Sequence, residues 1–108
     1  AEEVARETAS RLAAERGLAL CALRQEKWRE AEAHATRALE VDPADARARL
    51  ARAQARRMLG DLALARADVD ALPSSVPVME VARRLALAER VYQAKARRVA
   101  RGMFSPTT

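Results

Sequence analysis

Apolar residues in the first half of the chain recur every three or four positions, the spacing that places side chains on one face of a helix. One such stripe comprises Leu18, Ala19, Ala22 and Leu23, and the next comprises Trp28, Ala31, Ala35, Ala38 and Leu39. A polar segment at 25–27 separates the two stripes, and Pro43 follows the second. Since proline cannot continue a helix, this pattern predicts two helices that end before Pro43.

The same arrangement returns 34 residues later, a period typical of helical repeat proteins. The shift aligns Ala19 with Ala53, Trp28 with Leu62, Ala31 with Ala65, Ala35 with Val69, Ala38 with Leu72, and Pro43 with Pro77. The second unit predicts a helix from about Ala44 to Leu59 and another from about Leu62 to Leu72. Between them, Gly60 is expected to be the C-cap of one helix and Asp61 the N-cap of the next.

A fifth helix is predicted from Pro77 to about Gly102, because no residue between them breaks it. Its apolar stripe comprises Val81, Leu85, Ala88, Tyr92, Ala96, Val99 and Met103. Its polar side carries Arg83, Arg84, Arg90, Lys95, Arg97, Arg98 and Arg101. We expect the stripe to be buried on the last repeat and the charges to face water, as in a capping helix.

These elements predict an all-α fold: a helical solenoid of antiparallel helix pairs with a long C-terminal capping helix. The first domain, residues 1–79, holds two repeats at about 12–45 and 46–79 with an N-terminal helix extension. Residues 80–108 form the basic amphipathic capping helix and a short tail. Half of the residues are apolar, mostly Ala, Leu and Val, which favours closely packed helices.

Charge is distributed unevenly along the chain. Residues 1–45 hold ten acidic and seven basic residues, a net −3, whereas residues 46–108 hold five acidic and thirteen basic residues, a net +8. There is no apolar run of about 18 residues and hence no expected membrane span. The single cysteine suits the cytoplasm or another reducing compartment, such as an organelle. Because the chain begins with Ala1 rather than Met, we expect a piece of a longer polypeptide.

The two units resemble the tetratricopeptide repeat (TPR) in three features. Small residues stand at the predicted helix crossings, prolines close the repeats, and a glycine forms the turn. These residues are Ala19, Ala31, Ala38, Ala53 and Ala65, then Pro43 and Pro77, and Gly60. Residues 12–21 and the tail from Arg97 to Phe104, which ends in a Met-Phe pair, are similar to the C-terminal TPR region of large FKBP-type immunophilins. The resemblance covers nearly the whole chain. That family usually has three repeats, whereas this chain shows two and a cap.

The resemblance implies a protein-interaction scaffold whose concave groove is lined by the first helix of each pair. The motif places Ala13, Arg16, Leu20, Leu23 and Arg24 from one unit, and Arg47, Leu50, Gln54, Arg57 and Met58 from the next, in that groove. Guanidinium groups among apolar side chains suit an acidic peptide segment of a partner protein. The resemblance places any prolyl isomerase activity in a separate upstream domain.

Many immunophilin relatives bind the acidic C-terminal tail of heat-shock chaperones through a clamp of lysine, arginine and asparagine. In this chain the clamp asparagine falls on Gly17 and the clamp arginine on Ala51, so that only Arg47 remains in place of a lysine. Each lost charged hydrogen bond would cost about 1.5–3 kcal/mol of binding free energy. A chaperone tail therefore fits this groove poorly.

No residue pattern indicates an enzyme, a metal site or a cofactor. Cys21 and His34 are the only residues of their kind and fall on different predicted helices. We expect Cys21 to be a small buried side chain, His34 an exposed helix residue, and Trp28 a packing residue. Neither a phosphate-binding glycine loop nor a nucleophile elbow is present.

Three other interpretations stay open. The chain could be a structural subunit permanently packed in a larger assembly, with a degenerate chaperone clamp. Calmodulin accepts basic amphipathic helices, and some immunophilin relatives bind it through this region, but a buried stripe on the capping helix would prevent that. The arginines could also contact nucleic acid, although aromatic stacking residues are nearly absent.

Overall fold

The computed structural model describes residues 2–104, with only the backbone described at Met103 and Phe104. It contains five helices: α1 (Glu2–Arg24), α2 (Trp28–Val41), α3 (Ala46–Leu59), α4 (Leu62–Asp70) and α5 (Met79–Phe104). Over these residues there is no strand, which confirms the predicted all-α class. None of the described helices is both long and apolar enough to cross a bilayer.

Each helix packs against the next in the chain, and α3 also contacts α1 and α5. The side-chain contacts between α2 and α3 join Glu32 to Arg56 and Thr36 to Arg52, so the two helices run antiparallel. The molecule is elongated, with principal dimensions of 74 × 27 × 22 Å. Since α3 contacts both α1 and α5, it lies between these two helices.

The helix ends follow local capping signals. As expected, the polar segment 25–27 separates α1 from α2, and Gly60 ends α3 with a left-handed φ of 85°. The start of α3 is two residues later than predicted because the Asp45 side chain accepts a hydrogen bond from the Ala48 amide at 2.9 Å. Asp61 lies at the N-cap position of α4, but its side chain makes no capping hydrogen bond.

The bounds of α4 and α5 also differ from the prediction. α4 ends at Asp70 rather than near Leu72, since the residue before Pro73 is disfavoured in a helix. α5 begins at Met79 rather than at Pro77, and the Val78 carbonyl accepts its first helical hydrogen bond, from Ala82. At the other end of the chain, α1 begins at Glu2.

Alanine forms most of the core. Ala19, Ala35 and Ala51 meet where α1, α2 and α3 cross, and a second set of alanines, Ala22, Ala31 and Ala55, repeats this contact one turn along. Side chains this small allow close approach of the helix backbones. Larger apolar residues are concentrated where α5 joins the others, in a cluster of Ala53, Ala65, Val69, Val81 and Leu85.

Replacing Gly60 and Gly17 with alanine should change the stability of the fold in opposite directions. At both positions an added Cβ would meet no atom within 4 Å, so the difference comes from the backbone conformation. We expect Gly60→Ala to lower the free energy of unfolding by about 1 kcal/mol, because an L-residue is strained at a φ of 85°. Gly17→Ala, inside α1, should raise it by roughly 0.5–1 kcal/mol. Urea denaturation of both variants tests this, and a loss of stability in Gly17→Ala would contradict it.

Candidate functional site

A buried ionic cluster that the sequence analysis missed joins α2, α3 and α4. Its centre is Asp68, whose side chain is 2% exposed. Arg52 donates to both carboxylate oxygens, from Nη2 to Oδ1 at 2.7 Å and from Nε to Oδ2 at 3.0 Å. Arg56 donates to Oδ2 at 2.9 Å, and Arg49 to Oδ1 at 3.4 Å. We call Asp68 and these three arginines the Asp68 cluster.

The arginines of the Asp68 cluster also bind the neighbouring helix and turn. Arg56 donates from Nε to Glu32 of α2 at 2.9 Å, and Arg49 donates to the Pro43 carbonyl at 2.9 Å. Three guanidinium groups thus share two carboxylates inside the fold. A sequence signal existed, since Asp68 interrupts the apolar spacing from Ala65 to Leu72 and thus occupies a core position.

Three of the predicted groove residues are held inside the molecule. Arg16 is half-buried and donates from Nη1 to Oδ2 of Asp45 at 2.6 Å, so its charge is neutralised by the residue that caps α3. Leu50 packs against the apolar cluster that includes Val81 and Leu85. Leu23 packs against the buried alanines of α1, α2 and α3. None of these three side chains is therefore free to serve as a main contact for a partner.

Five of the other predicted residues lie on one surface of α1 and α3, all of them exposed except the half-buried Gln54. Arg47, Gln54 and Met58 are spaced four and seven residues apart, on the side of α3 opposite the Asp68 cluster. On α1, Leu20 and Arg24 lie opposite the buried Ala22. We call this surface the open face, defined by Leu20, Arg24, Arg47, Gln54 and Met58.

Arg57, the last predicted groove residue, lies in a groove between α3 and α5 at the edge of the open face. The groove has a volume of about 460 Å³. Its walls are the apolar side chains of Leu62, Leu87, Ala88, Val91 and Tyr92, the backbone at Gly60, and the cations Arg57, Arg84 and Lys95. We call it the α3–α5 groove. Arg57 was predicted to line a binding groove, whereas none of the α5 residues was.

The Arg57 guanidinium is electrostatically unfavourable in this position. Its Nε is buried and has no hydrogen-bond partner among residues 2–104. Burial lowers the pKa of Arg57 below its usual range, and the nearby positive charge of Arg84 lowers it further. Arg84 itself donates to Glu80 at 2.9 Å. An anion bound in the α3–α5 groove would relieve both effects, because it would supply an acceptor and an opposite charge.

The capping prediction is only partly correct. Val81 and Leu85 are buried as expected, and Ala88 is half-buried. Tyr92, Ala96 and Val99 are exposed, because α5 extends beyond the ends of α3 and α4 and no described residue covers it there. The Met103 side chain lies outside the described residues. The apolar stripe was expected to be buried and thus closed to calmodulin. For residues 90–102 that expectation is wrong, since these residues are exposed.

The structure corrects two predictions on single residues and gives the position of a third. Cys21 is exposed rather than buried, because it lies on the side of α1 away from α2 and α3. His34 is half-buried rather than exposed, and its Nδ1 is 2.8 Å from Oε2 of Glu15 on α1. Trp28 is half-buried at the start of α2, beside Leu59. Cys21 and His34 have no contact that would make a nucleophile and its base.

Neither a possible metal site nor a similarity to known proteins points to a further functional site in the described residues. Among the described residues, no group of three or more His, Cys, Asp or Glu side chains could hold a metal ion. Comparison of the chain with models of protein families, with curated proteins and with solved structures gives no match. The open face and the α3–α5 groove, which adjoin, are thus the surfaces from which a function can be argued.

Proposed function

We propose that this chain is a protein-interaction scaffold of the TPR type that binds an acidic peptide segment of a partner on the open face. The observation that carries this proposal is the division of its arginines into two groups. Arg16, Arg49, Arg52, Arg56 and Arg66 each pair with a carboxylate. By contrast, no described carboxylate forms an ion pair with Arg24, Arg47 or Arg57.

Burial explains why this difference bears on function. The fold neutralises the half-buried guanidinium groups of Arg16, Arg52, Arg56 and Arg66 with Asp45, Asp68, Glu32 and Glu89. On the open face and at its edge, Arg24, Arg47 and Arg57 have no such partner within residues 2–104, and the apolar side chains of Leu20 and Met58 on that face are 41% and 45% exposed. A peptide with carboxylates and a few apolar anchors complements this combination in both charge and hydrophobicity.

The tail of a heat-shock chaperone is disfavoured as the ligand. Ala51 lies at the clamp-arginine position and is buried against Ala19 and Ala35, which leaves no room there for a longer side chain. Gly17 lies at the clamp-asparagine position and has no side chain to donate. The acidic partner therefore needs a different contact pattern, centred on Arg24, Arg47 and Arg57.

Reversing the charge of Arg47 and Arg57 together tests the proposal. We expect Arg47→Glu/Arg57→Glu to weaken binding of acidic peptides by about tenfold or more, as two charge-assisted hydrogen bonds become repulsions. Isothermal calorimetry against an acidic peptide library measures this, and the affinity of the unaltered chain should fall as salt rises. The control Arg29→Glu/Arg97→Glu changes net charge equally, at exposed positions of α2 and α5.

The outcome that contradicts the proposal is equal affinity in both double variants. A change of the same size in the two would show that only net charge matters. If neither variant affects binding at all, the partner surface lies elsewhere.

A second candidate, a structural subunit permanently packed in a larger assembly, has one observation in its favour. The projecting ends of α1 and α5 expose apolar side chains, among them Val4, Tyr92 and Val99. A subunit of this kind should be poorly folded when isolated and should show no preference among peptides. Circular dichroism of the free chain tests its folding, and calorimetry with the same peptide library tests its peptide preference. Together they separate the two functions.

A further inference from the structure

The α3–α5 groove combines cations with apolar walls. Arg57, Arg84 and Lys95 line it together with Leu62, Leu87, Val91 and Tyr92, and no acidic side chain is among its described lining residues. The recessed Nε of Arg57 lacks an acceptor, as described above. A ligand for this groove must therefore carry both an anionic group and bulky apolar side chains.

A second groove continues the first along α5. It has a volume of about 440 Å³ and is lined by Tyr92, Lys95, Ala96, Val99 and Ala100. Tyr92 and Lys95 belong to both grooves, so the apolar surface is continuous from Arg84 to Ala100. At a rise of 1.5 Å per residue this surface is about 24 Å long, the length of a helix of roughly four turns.

From this continuity we propose that the α3–α5 groove and the exposed face of α5 together bind an amphipathic helix of a partner protein. The partner's apolar residues, spaced three and four apart, pack on Leu87, Val91 and Tyr92, and carboxylates along one edge bind Arg57 and Lys95. This inference rests on the proposed function. It specifies that the partner segment is helical and that it binds in the groove at the edge of the open face.

Charge and shape argue against two other occupants. Residues 90–102 carry Arg90, Lys95, Arg97, Arg98 and Arg101 and no acidic residue, so a second copy of α5 would be repelled. An anionic bilayer is flat on this scale and could contact the projecting half of α5. A flat surface would not follow the α3–α5 groove, whereas a helix of a partner protein could lie along it with its carboxylates towards Arg57 and Lys95.

The probe is a fluorescein-labelled, stapled peptide of about 16 residues, ~24 Å long as a helix, with leucines on one face and glutamates along one edge. A proline-containing peptide of the same composition is the extended control. Fluorescence anisotropy with the full chain should show that the stapled helix binds more tightly. Two substitutions, Arg57→Met and Tyr92→Ala, should each weaken binding of the stapled helix by about tenfold or more. Methionine keeps the aliphatic part of the Arg57 side chain and removes its charge. Arg97→Met, on the polar side of α5, should change this binding by less than about twofold.

Circular dichroism of each variant separates lost binding from lost folding, and no such loss is expected at exposed Tyr92. Equal binding of the two peptides, or no effect of Arg57→Met and Tyr92→Ala, would overturn the inference. If Arg24→Met and Arg47→Met weaken peptide binding while Arg57→Met and Tyr92→Ala do not, the proposed function stands and the helix-binding inference fails. Failure of both peptides to bind would contradict both. Binding to phosphatidylserine vesicles that the stapled helix cannot displace would make this a lipid surface.

Discussion

Replacing Asp68 with alanine is expected to lower the free energy of unfolding by about 3–5 kcal/mol, the typical cost of removing one partner from a buried ion pair. The side chain is 2% exposed and accepts hydrogen bonds from Arg49, Arg52 and Arg56. Without it, three guanidinium groups face one another and only Glu32 remains as a carboxylate partner. Since small domains are stabilised by about 5–15 kcal/mol in total, the loss could remove most of the stability.

Urea denaturation followed by circular dichroism measures this effect. Asp70→Ala is the matched control, because Asp70 lies two residues further along α4 and is exposed; it should change the free energy of unfolding by less than about 0.5 kcal/mol. If Asp68→Ala does not fold, Asp68→Asn keeps the shape and removes only the charge. Equal stability of the Asp68 and Asp70 variants would show that the Asp68 cluster does not hold the helices together.

Leu85→Ala should have the second largest effect, a loss of about 2–5 kcal/mol in the free energy of unfolding. Leu85 is 1% exposed and is among the largest fully buried side chains of a core otherwise rich in alanine. It contacts the cluster that joins α5 to α3 and α4. Truncation would leave a cavity where neighbouring side chains are too small to fill it.

Leu87→Ala provides the control for Leu85→Ala, because the same deletion is made two residues away at a side chain that is 61% exposed. It should cost less than about 0.5 kcal/mol. Thermal and urea denaturation of both variants measure the difference. If Leu85→Ala costs no more than Leu87→Ala, then α5 is held by its other contacts, namely Val81 in the same cluster and the ion pair between Arg66 and Glu89, whose hydrogen bond raises the pKa of Arg66.

The arginines of α3 fall on two different sides of the helix. Arg49, Arg52 and Arg56 lie on the side of α3 that faces α2 and α4, where acidic residues neutralise them. Arg47 and Arg57 fall outside that side and have no such partner among the described residues. Helix periodicity thus separates arginines that stabilise the fold from those that the proposal assigns to a partner.

The sequence by itself determined the helices and most of their ends. Apolar spacing predicted five helices, and the segment 25–27 and Gly60 predicted two turns. Of the buried alanines, Ala19, Ala31, Ala38, Ala53 and Ala65 were identified as crossing residues, whereas Ala48, Ala51 and Ala55 were not. These signals are local, since the backbone conformation at a glycine or proline depends on neighbours within a few residues. The first turn of α3 and the last of α4 were misplaced because a cap and a proline compete with the apolar pattern.

Only the tertiary structure decided the partner of each arginine and the coverage of α5. Arg16 and Arg57 look alike in the sequence, yet Asp45 neutralises the first while the second lies beside Arg84. The stripe of α5 is continuous, but the lengths and positions of α3 and α4 leave Tyr92 and Val99 exposed. The physical reason is the same in both cases: burial and ion pairing arise between residues far apart in the chain, whereas periodicity describes one helix at a time.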